Sequence, residues 1–391
     1  MASIEEGQDP SITTPNERMK RSGHTKESEF FFYQAGGTGE MHWAYPDAVT
    51  RGVDIVNISQ GIYQMECNRL ADAALNTPML NALDAGVLTV AAAGNGGHSG
   101  SCNVGFPAFR TETLGVGALE TGVGLETTPY SSINIAGFSA LGGLAVRLHT
   151  GGLVTTPGID LVAPGVLHFV SEEPYWVAPQ PNYIEPPAYP LPGTSIAAPV
   201  VTGAVAGLLD AFHDIGWTTT NKKALLVNML LMTDHWDAIT NSYRTVALSN
   251  LSGAGRLRMH YPSSDDLVAP WGWGWRSFTI NQGETVAWTV GDSGPESASI
   301  TQWKWAALWI EPNLDSVADI DFKVVDTCPV GGGEVVVASD TSRSLRARFD
   351  LFQPQISGRC LEMRAYGYSV PTGGRVVYSA DYFHGGNPND H

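Results

Sequence analysis

The residues best suited to chemistry form one short run: Gly193, Thr194 and Ser195, followed by Ile196, Ala197, Ala198 and Pro199. Ser195 opens a long, nearly uncharged segment reaching Phe212, whose pattern predicts a helix buried on most sides. The first amides of a helix have no carbonyl partner within it and favour negative charge. A serine hydroxyl placed there can attack a carbonyl carbon while its own amide holds the oxyanion that forms. Pro199 falls in the first turn on this reading, where a missing N–H costs little. The competing role for Ser195 is a plain helix N-cap. Average composition would produce these five residue types (Gly, Thr, Ser, Ala, Pro) at this spacing in about one chain in a thousand.

The elements that must position this serine alternate in type. Phe30–Ala35 reads as a strand, Gly36–Gly39 as a turn, Met41–Arg51 as an amphipathic helix and Val53–Ile58 as a buried strand. A helix near Asp72–Ala85 and the apolar strand Val87–Ala93 follow, the latter ending in Gly94, Asn95, Gly96 and Gly97. Leu114–Ala118 and Ile159–Ala163 are short strands, Pro174–Pro192 is an irregular loop, and Asn221–Met232 is a second helix after the one led by Ser195. Strands alternating with helices imply right-handed crossovers and a parallel sheet flanked by helices, an α/β fold. After Pro262 the pattern becomes strands separated by turns: Glu284–Val290, Trp305–Trp309, Ile320–Val325, Glu334–Ala338 and Arg375–Ser379. That is the pattern of an all-β sandwich. The chain thus divides into a peripheral polar stretch at 1–29, an α/β domain at 30–265 and a β-sandwich domain at 275–391.

Composition excludes other classes of function. With 39 acidic against 22 basic residues, the net charge of -17 repels nucleic acid and anionic membrane surfaces. No run of eighteen apolar residues is present to span a bilayer, and the first twenty residues lack the apolar core of a signal peptide. The four cysteines fall as Cys67 with Cys102 and Cys328 with Cys360, one pair per half. This arrangement suits two disulfides in an oxidising compartment, and free thiols inside a cell equally well.

Taken together, the run from Gly193 to Pro199 resembles the nucleophile motif of the subtilases, the subtilisin-like serine peptidases. Ala92, Ala93, Gly94 and Asn95 resemble that family's strand end, in the family's order and 100 residues before Ser195. Asp54 to Gly61 resembles its substrate-edge strand, and Gly105 to Ala108 the segment after the asparagine loop. Phe138, Ser139, Ala163, Pro164 and Gly165 resemble its later loops, and Gly253 to Leu257 the segment closing the domain. The resemblance covers about Phe30 to Pro262. It implies a serine endopeptidase acting on polypeptides outside the cytoplasm, with Ser195 as nucleophile and the Asn95 side chain as second oxyanion donor. It also implies that the substrate pairs along Ser59 and Gly61, in a slot walled by Ala92 and Gly94 and floored by Gly105. Small uncharged residues there favour large apolar side chains at P1, the residue just before the scissile bond. The competing view has Glu112 reach the pocket and select Lys or Arg.

The departure from the family concerns the other two triad members. Only 58 residues precede Ser59, and they hold no D-[ST]-G and no H-G-T-x-[VI]-A segment. His24 is a weak echo, followed by Lys26, Glu27 and Glu29 rather than small residues, and His42, His98, His149 and His168 read as surface or loop histidines. The chain therefore resembles the C-terminal portion of a subtilase domain, incomplete at its N-terminus and inactive by itself; the alternative is a pseudo-peptidase that binds without cutting. No cofactor and no metal site are expected. Asp319, Asp321 and Asp326 could sit on calcium, but solvent-facing carboxylates on an alternating strand are the commoner case. Trp271, Trp273 and Trp275 read as a face packed against the α/β domain.

Overall fold

The computed structural model describes residues 28–36, 38–61, 73–97, 103–120, 134–167, 191–211, 233–234, 236–237, 242–243, 248, 252–257, 272–290, 300–352 and 359–385. Helix α1 (Thr38–Arg51) leads to strand β1 (Ile55–Ile58), and helix α2 (Ala73–Asp84) to β2 (Leu88–Ala92). Then come β3 (Thr113–Leu119), the hairpin β4 (Gly143–Arg147) with β5 (Leu153–Pro157), β6 (Leu161–Pro164), and the short pair β7 (Val166–Leu167) and β8 (Leu191–Pro192). Helix α3 (Thr194–Ala211) is followed by β9 (Thr233–Asp234), the pair β10 (Trp236–Asp237) and β11 (Ser242–Tyr243), and β12 (Arg256–Leu257).

Six strands form the central sheet in the order β1-β2-β3-β6-β12-β9, parallel throughout except for β9. Every residue of β2 and β3 is buried, as a parallel sheet covered on both faces requires. The nearly uncharged α3 packs across β1, β2, β3 and β6, and its Ala197, Val201 and Val205 are fully buried. On α1, Met41, Tyr45 and Ala48 are buried at helical spacing, and Gly52, at φ 70°, ends the helix in the left-handed region. Among the described residues β1 is the edge of the sheet, with Ile55 and Val56 only half-buried.

The expected strand at Phe30–Ala35 does not form: residues 28–35 carry no regular structure, and Phe32 is 78% exposed. These aromatic residues lie along α1 instead, with Phe31 under the Arg51 guanidinium and the Tyr33 hydroxyl donating to Asp47 at 2.7 Å. Strand propensity without a partner edge is insufficient to make a strand. The helix expected at Asn221–Met232 lies outside the described residues.

The C-terminal region is β-rich. Strands β13 (Gly272–Ile280), β14 (Thr285–Thr289), β15 (Ile300–Trp309), β16 (Asp319–Asp326), β17 (Val335–Asp340), β18 (Arg346–Phe352), β19 (Leu361–Ser369) and β20 (Arg375–Gly385) build two antiparallel sheets. Their orders are β13-β20-β15-β18 and β14-β19-β16-β17. The sheets meet through aromatic side chains, with the Phe322 ring 5.0 Å from Trp305 and 6.1 Å from Trp309 of the other sheet. Cys328 and Cys360 are joined by a disulfide, Cα to Cα 5.5 Å, tying the end of β16 to the start of β19. Cys67 and Cys102 lie outside the described residues. Trp275 packs against buried residues of the shared core; Trp271 and the Trp273 side chain lie outside the described residues.

The carboxylates of β16 depart from the solvent-facing expectation. Asp319 and Asp326 are each 3% exposed, with Arg343 and Arg359 as their ionic partners. Burial, then the neighbouring Asp321 charge, pushes the Asp319 carboxyl up to about 6, against the opposing pull of Arg343. Among the described residues no group of three acidic, histidine or cysteine side chains could hold a metal ion. No helix of the described residues is long and apolar enough to cross a membrane.

Candidate functional site

Helix α3 starts at Thr194, so Ser195 occupies its second position with its amide among the unpartnered N-terminal donors. The turn before it is held by Gly193, whose N–H donates to the Gly165 carbonyl at 2.8 Å and whose carbonyl accepts from Ile196 at 3.0 Å. A side chain is impossible at Gly165, where a Cβ would lie 2.4 Å from the Ala118 Cβ. At Gly193 a Cβ would lie 2.8 Å from Ser195 Oγ and 3.5 Å from Asn95 Nδ2. The bare backbone at 193 therefore leaves one small space bordered by both the serine hydroxyl and the asparagine amide.

Asn95 sits on the turn after β2, and Thr194 fixes its orientation. Asn95 Oδ1 accepts from the Thr194 backbone N–H at 2.9 Å and from its hydroxyl at 3.0 Å. The same hydroxyl oxygen accepts from Gly94 N–H at 2.9 Å. With Oδ1 turned to Thr194, the NH₂ end of the amide lies on the side of Gly193.

Pro199 is the sixth residue of α3 rather than part of its first turn, and this corrects the sequence reading. Lacking an N–H, it cannot bond the carbonyl four residues back, that of Ser195. Ser59, just beyond β1, supplies the missing donor: its Oγ reaches the Ser195 carbonyl oxygen at 2.9 Å. Ser59 Oγ accepts in turn from Asn57 Nδ2 at 3.0 Å, and Thr202 Oγ1, one turn further along α3, donates to Asn57 Oδ1 at 3.1 Å. This network ties the edge strand to the helix that carries Ser195. Its members Asn57 and Thr202 escape sequence reasoning, although a proline four residues after Ser195 is a signal that a donor must come from elsewhere.

Gly61, Ala92 and Gly105 come together beside this network. A Cβ on Gly61 would meet the Phe106 carbonyl at 3.5 Å, the Ala92 carbonyl at 3.8 Å and Gly105 Cα at 3.9 Å. Gly105 N–H donates to the Ala93 carbonyl at 2.8 Å, which brings the 105–108 segment up against the β2 end. Gly94 is buried beneath Thr194. Glu112 is fully buried and committed elsewhere: Arg110 Nε donates to it at 2.8 Å, so the carboxylate is not available to the slot.

The histidine side chains whose contacts are described, His42 and His149, have partners away from Ser195. His42 lies edge-on to Trp43 on α1, and His149 shares a hydrogen bond with Ser316 Oγ at 3.2 Å. His24, His98 and His168 lie outside the described residues.

Residues 14–255 match the family model described as the Subtilase family, Peptidase_S8. The chain is 31% identical over 166 residues to Subtilisin DY of Bacillus licheniformis, covering 42% of this chain and 46% of that one. It is 31% identical over 177 residues to Subtilisin E of Bacillus subtilis (strain 168), covering 44% and 36%. The chain thus spans less than half the length of these curated relatives. Among solved structures, Sphericase aligns at 21% identity over 57% of this chain and 62% of that chain, TM-score 0.39. Patellamide maturation protease PatG aligns at 19% identity over 66% and 63%, TM-score 0.42.

Proposed function

Because this chain belongs to the subtilase family of peptidases, we propose that it carries the nucleophile half of a serine endopeptidase site, with Ser195 as the attacking group. The observation that carries this reading is the space at Gly193, bordered by Ser195 Oγ and Asn95 Nδ2. A substrate carbonyl oxygen seated there receives the Asn95 amide and the Ser195 backbone N–H as the charge develops. The substrate backbone lies along Ser59 to Gly61 as an added strand, and its P1 side chain enters the slot of Gly61, Ala92 and Gly105. Burying a Leu or Phe there is worth about 1.5–3 kcal/mol, whereas Lys or Arg finds no carboxylate because Arg110 holds Glu112. The β-rich region is read as a sandwich domain following the peptidase fold. The disulfide at Cys328 and Cys360 supports a working place outside the cytoplasm.

The general base and its orienting acid are supplied from outside these residues on this reading, and the chain by itself does not cut. Loss of the triad histidine costs about a millionfold in kcat, a magnitude measured in subtilisin, itself a member of this family. The test has two arms. The chain as given is treated with a fluorophosphonate probe, with no labelling expected. It is then combined with a segment bearing D-[ST]-G and H-G-T, with Ser195-dependent hydrolysis of a Phe-P1 peptide expected. Stoichiometric labelling of the chain alone, abolished in Ser195→Ala, overturns the incomplete-site reading. The second reading, a binding protein that uses the same cleft, draws on the engagement of His42 and His149 elsewhere. Peptide retention without any hydrolysis in the combined sample would establish it.

A further inference from the structure

The segment 105–113 has two sides. Its front, Gly105, faces the slot. Its back is held by the β-rich region. Strand β18 alternates Arg346, Arg348 and Asp350 with Ala347, Phe349 and Leu351, and alternation of that kind ordinarily puts the charges in water. All six are buried, because the charged face of β18 lies against the α/β region. Arg346 Nη2 donates to the Thr113 carbonyl at 3.0 Å and, more weakly, to the Thr111 carbonyl and Asp160 Oδ2. Its Nε makes a close ionic contact with Asp160 Oδ1, off the hydrogen-bonding direction.

These contacts pass directly to the floor segment. Thr113 Oγ1 donates to the Pro107 carbonyl at 2.8 Å or the Arg110 carbonyl at 2.9 Å. Asp160 Oδ2 accepts from Gly115 N–H at 2.7 Å, and Gly115 lies so close to Ala108 that a Cβ would stand 2.2 Å from its carbonyl oxygen. The same segment borders a narrow cleft lined among others by Ala108, Phe109, Arg110, Pro157, Leu345 and Arg346. The hydrogen bonds through Thr113 and Asp160 therefore link Arg346 to the position of this segment.

We propose that Arg346, from the β-rich region, is a positioning residue for the floor of the P1 slot, so that this region sets how well the slot discriminates side-chain size. The proposal rests on the slot assignment made above. Arg346→Lys is the test variant, because a single ammonium keeps the charge opposite Asp160 while losing the planar fork that reaches Thr113. Two measurements are made on the full chain. Amide hydrogen exchange is read over residues 105–113 and, as control, over β15 and β20. Dissociation constants are read for two tetrapeptides ending in Phe or Ala. For the unmodified chain the Phe peptide is expected to bind about tenfold to a hundredfold tighter. In Arg346→Lys, exchange at 105–113 is expected to rise about tenfold with the controls unchanged, and the Phe preference to shrink about tenfold. Unchanged exchange and an unchanged preference in a folded Arg346→Lys protein overturn the proposal. So does uniform acceleration of exchange across β15 and β20, which marks a merely structural role. Equal binding of the two peptides by the unmodified chain overturns the slot assignment itself, and that result is independent of the exchange measurement.

Discussion

Replacing Thr194 by Val removes one hydroxyl and leaves the buried volume nearly unchanged. That hydroxyl accepts from Gly94 N–H at 2.9 Å and donates to Asn95 Oδ1 at 3.0 Å, and Thr194 is 1% exposed. Gly94 is buried, so its amide is left without an acceptor, at a cost of about 1–3 kcal/mol. Asn95 is exposed and keeps the Thr194 backbone N–H, so water replaces the second bond for about 0.5 kcal/mol or less. The total is about 2 kcal/mol. Thr194→Ser keeps both bonds and loses a buried methyl, worth about 1 kcal/mol. Urea unfolding of both variants, followed by circular dichroism and by tryptophan fluorescence to check that the transitions coincide, gives the two values at unchanged m. Val costing more than Ser is the expected order. If Ser costs as much as Val, or if Val is neutral, the hydroxyl does not hold this turn and the orientation of Asn95 has been wrongly explained. In a combined, active sample Thr194→Val should lower kcat with little effect on KM, by less than the about 10²–10³ that loss of an oxyanion donor costs in subtilisin, a family member.

Two further outcomes concern the β-rich region. The Asp319 carboxyl is raised in the folded state from 3.8 to about 6, first by burial and then by Asp321. The folded chain therefore binds more protons than the unfolded chain between these values, and stability present below about 3.8 is lost as pH rises through about 6. Asp319→Asn should remove that slope, stabilising the protein at pH 7 by about 1–2 kcal/mol, a figure discounted for solvent reaching the exposed Arg343, and changing little at pH 4. Melting curves at both pH values check it, and equal shifts at both would count against the carboxylate as the cause. Replacing Cys328 and Cys360 together by Ser opens a loop with a sequence separation of 32, for which chain entropy predicts a loss of about 3–4 kcal/mol. With reductant the urea midpoint of the unmodified chain should fall to the double variant's value, and without reductant it should stay above it.

Local pattern made the main residues of the candidate site legible. A serine opening an uncharged helix, and a Gly–Asn turn closing an apolar strand, are short-range features, and their chemistry follows from helix termini and strand ends wherever they occur. The apolar runs at Leu88–Ala92 and Thr113–Leu119 were equally readable, because a strand buried on both faces must be continuously apolar. Long-range partners were not readable. Ser59 reaches the Ser195 carbonyl across 136 residues, and Arg346 reaches Asp160 across 186. No local propensity encodes which of many polar groups will meet after the sheets have packed. The same limit explains the errors. Phe30–Ala35 has strand-forming residues but no edge to pair with, and Asp319 on an alternating strand is buried. Alternation tells which residues share a face of a strand, whereas only the packing of the second sheet and the α/β region decides whether that face meets water.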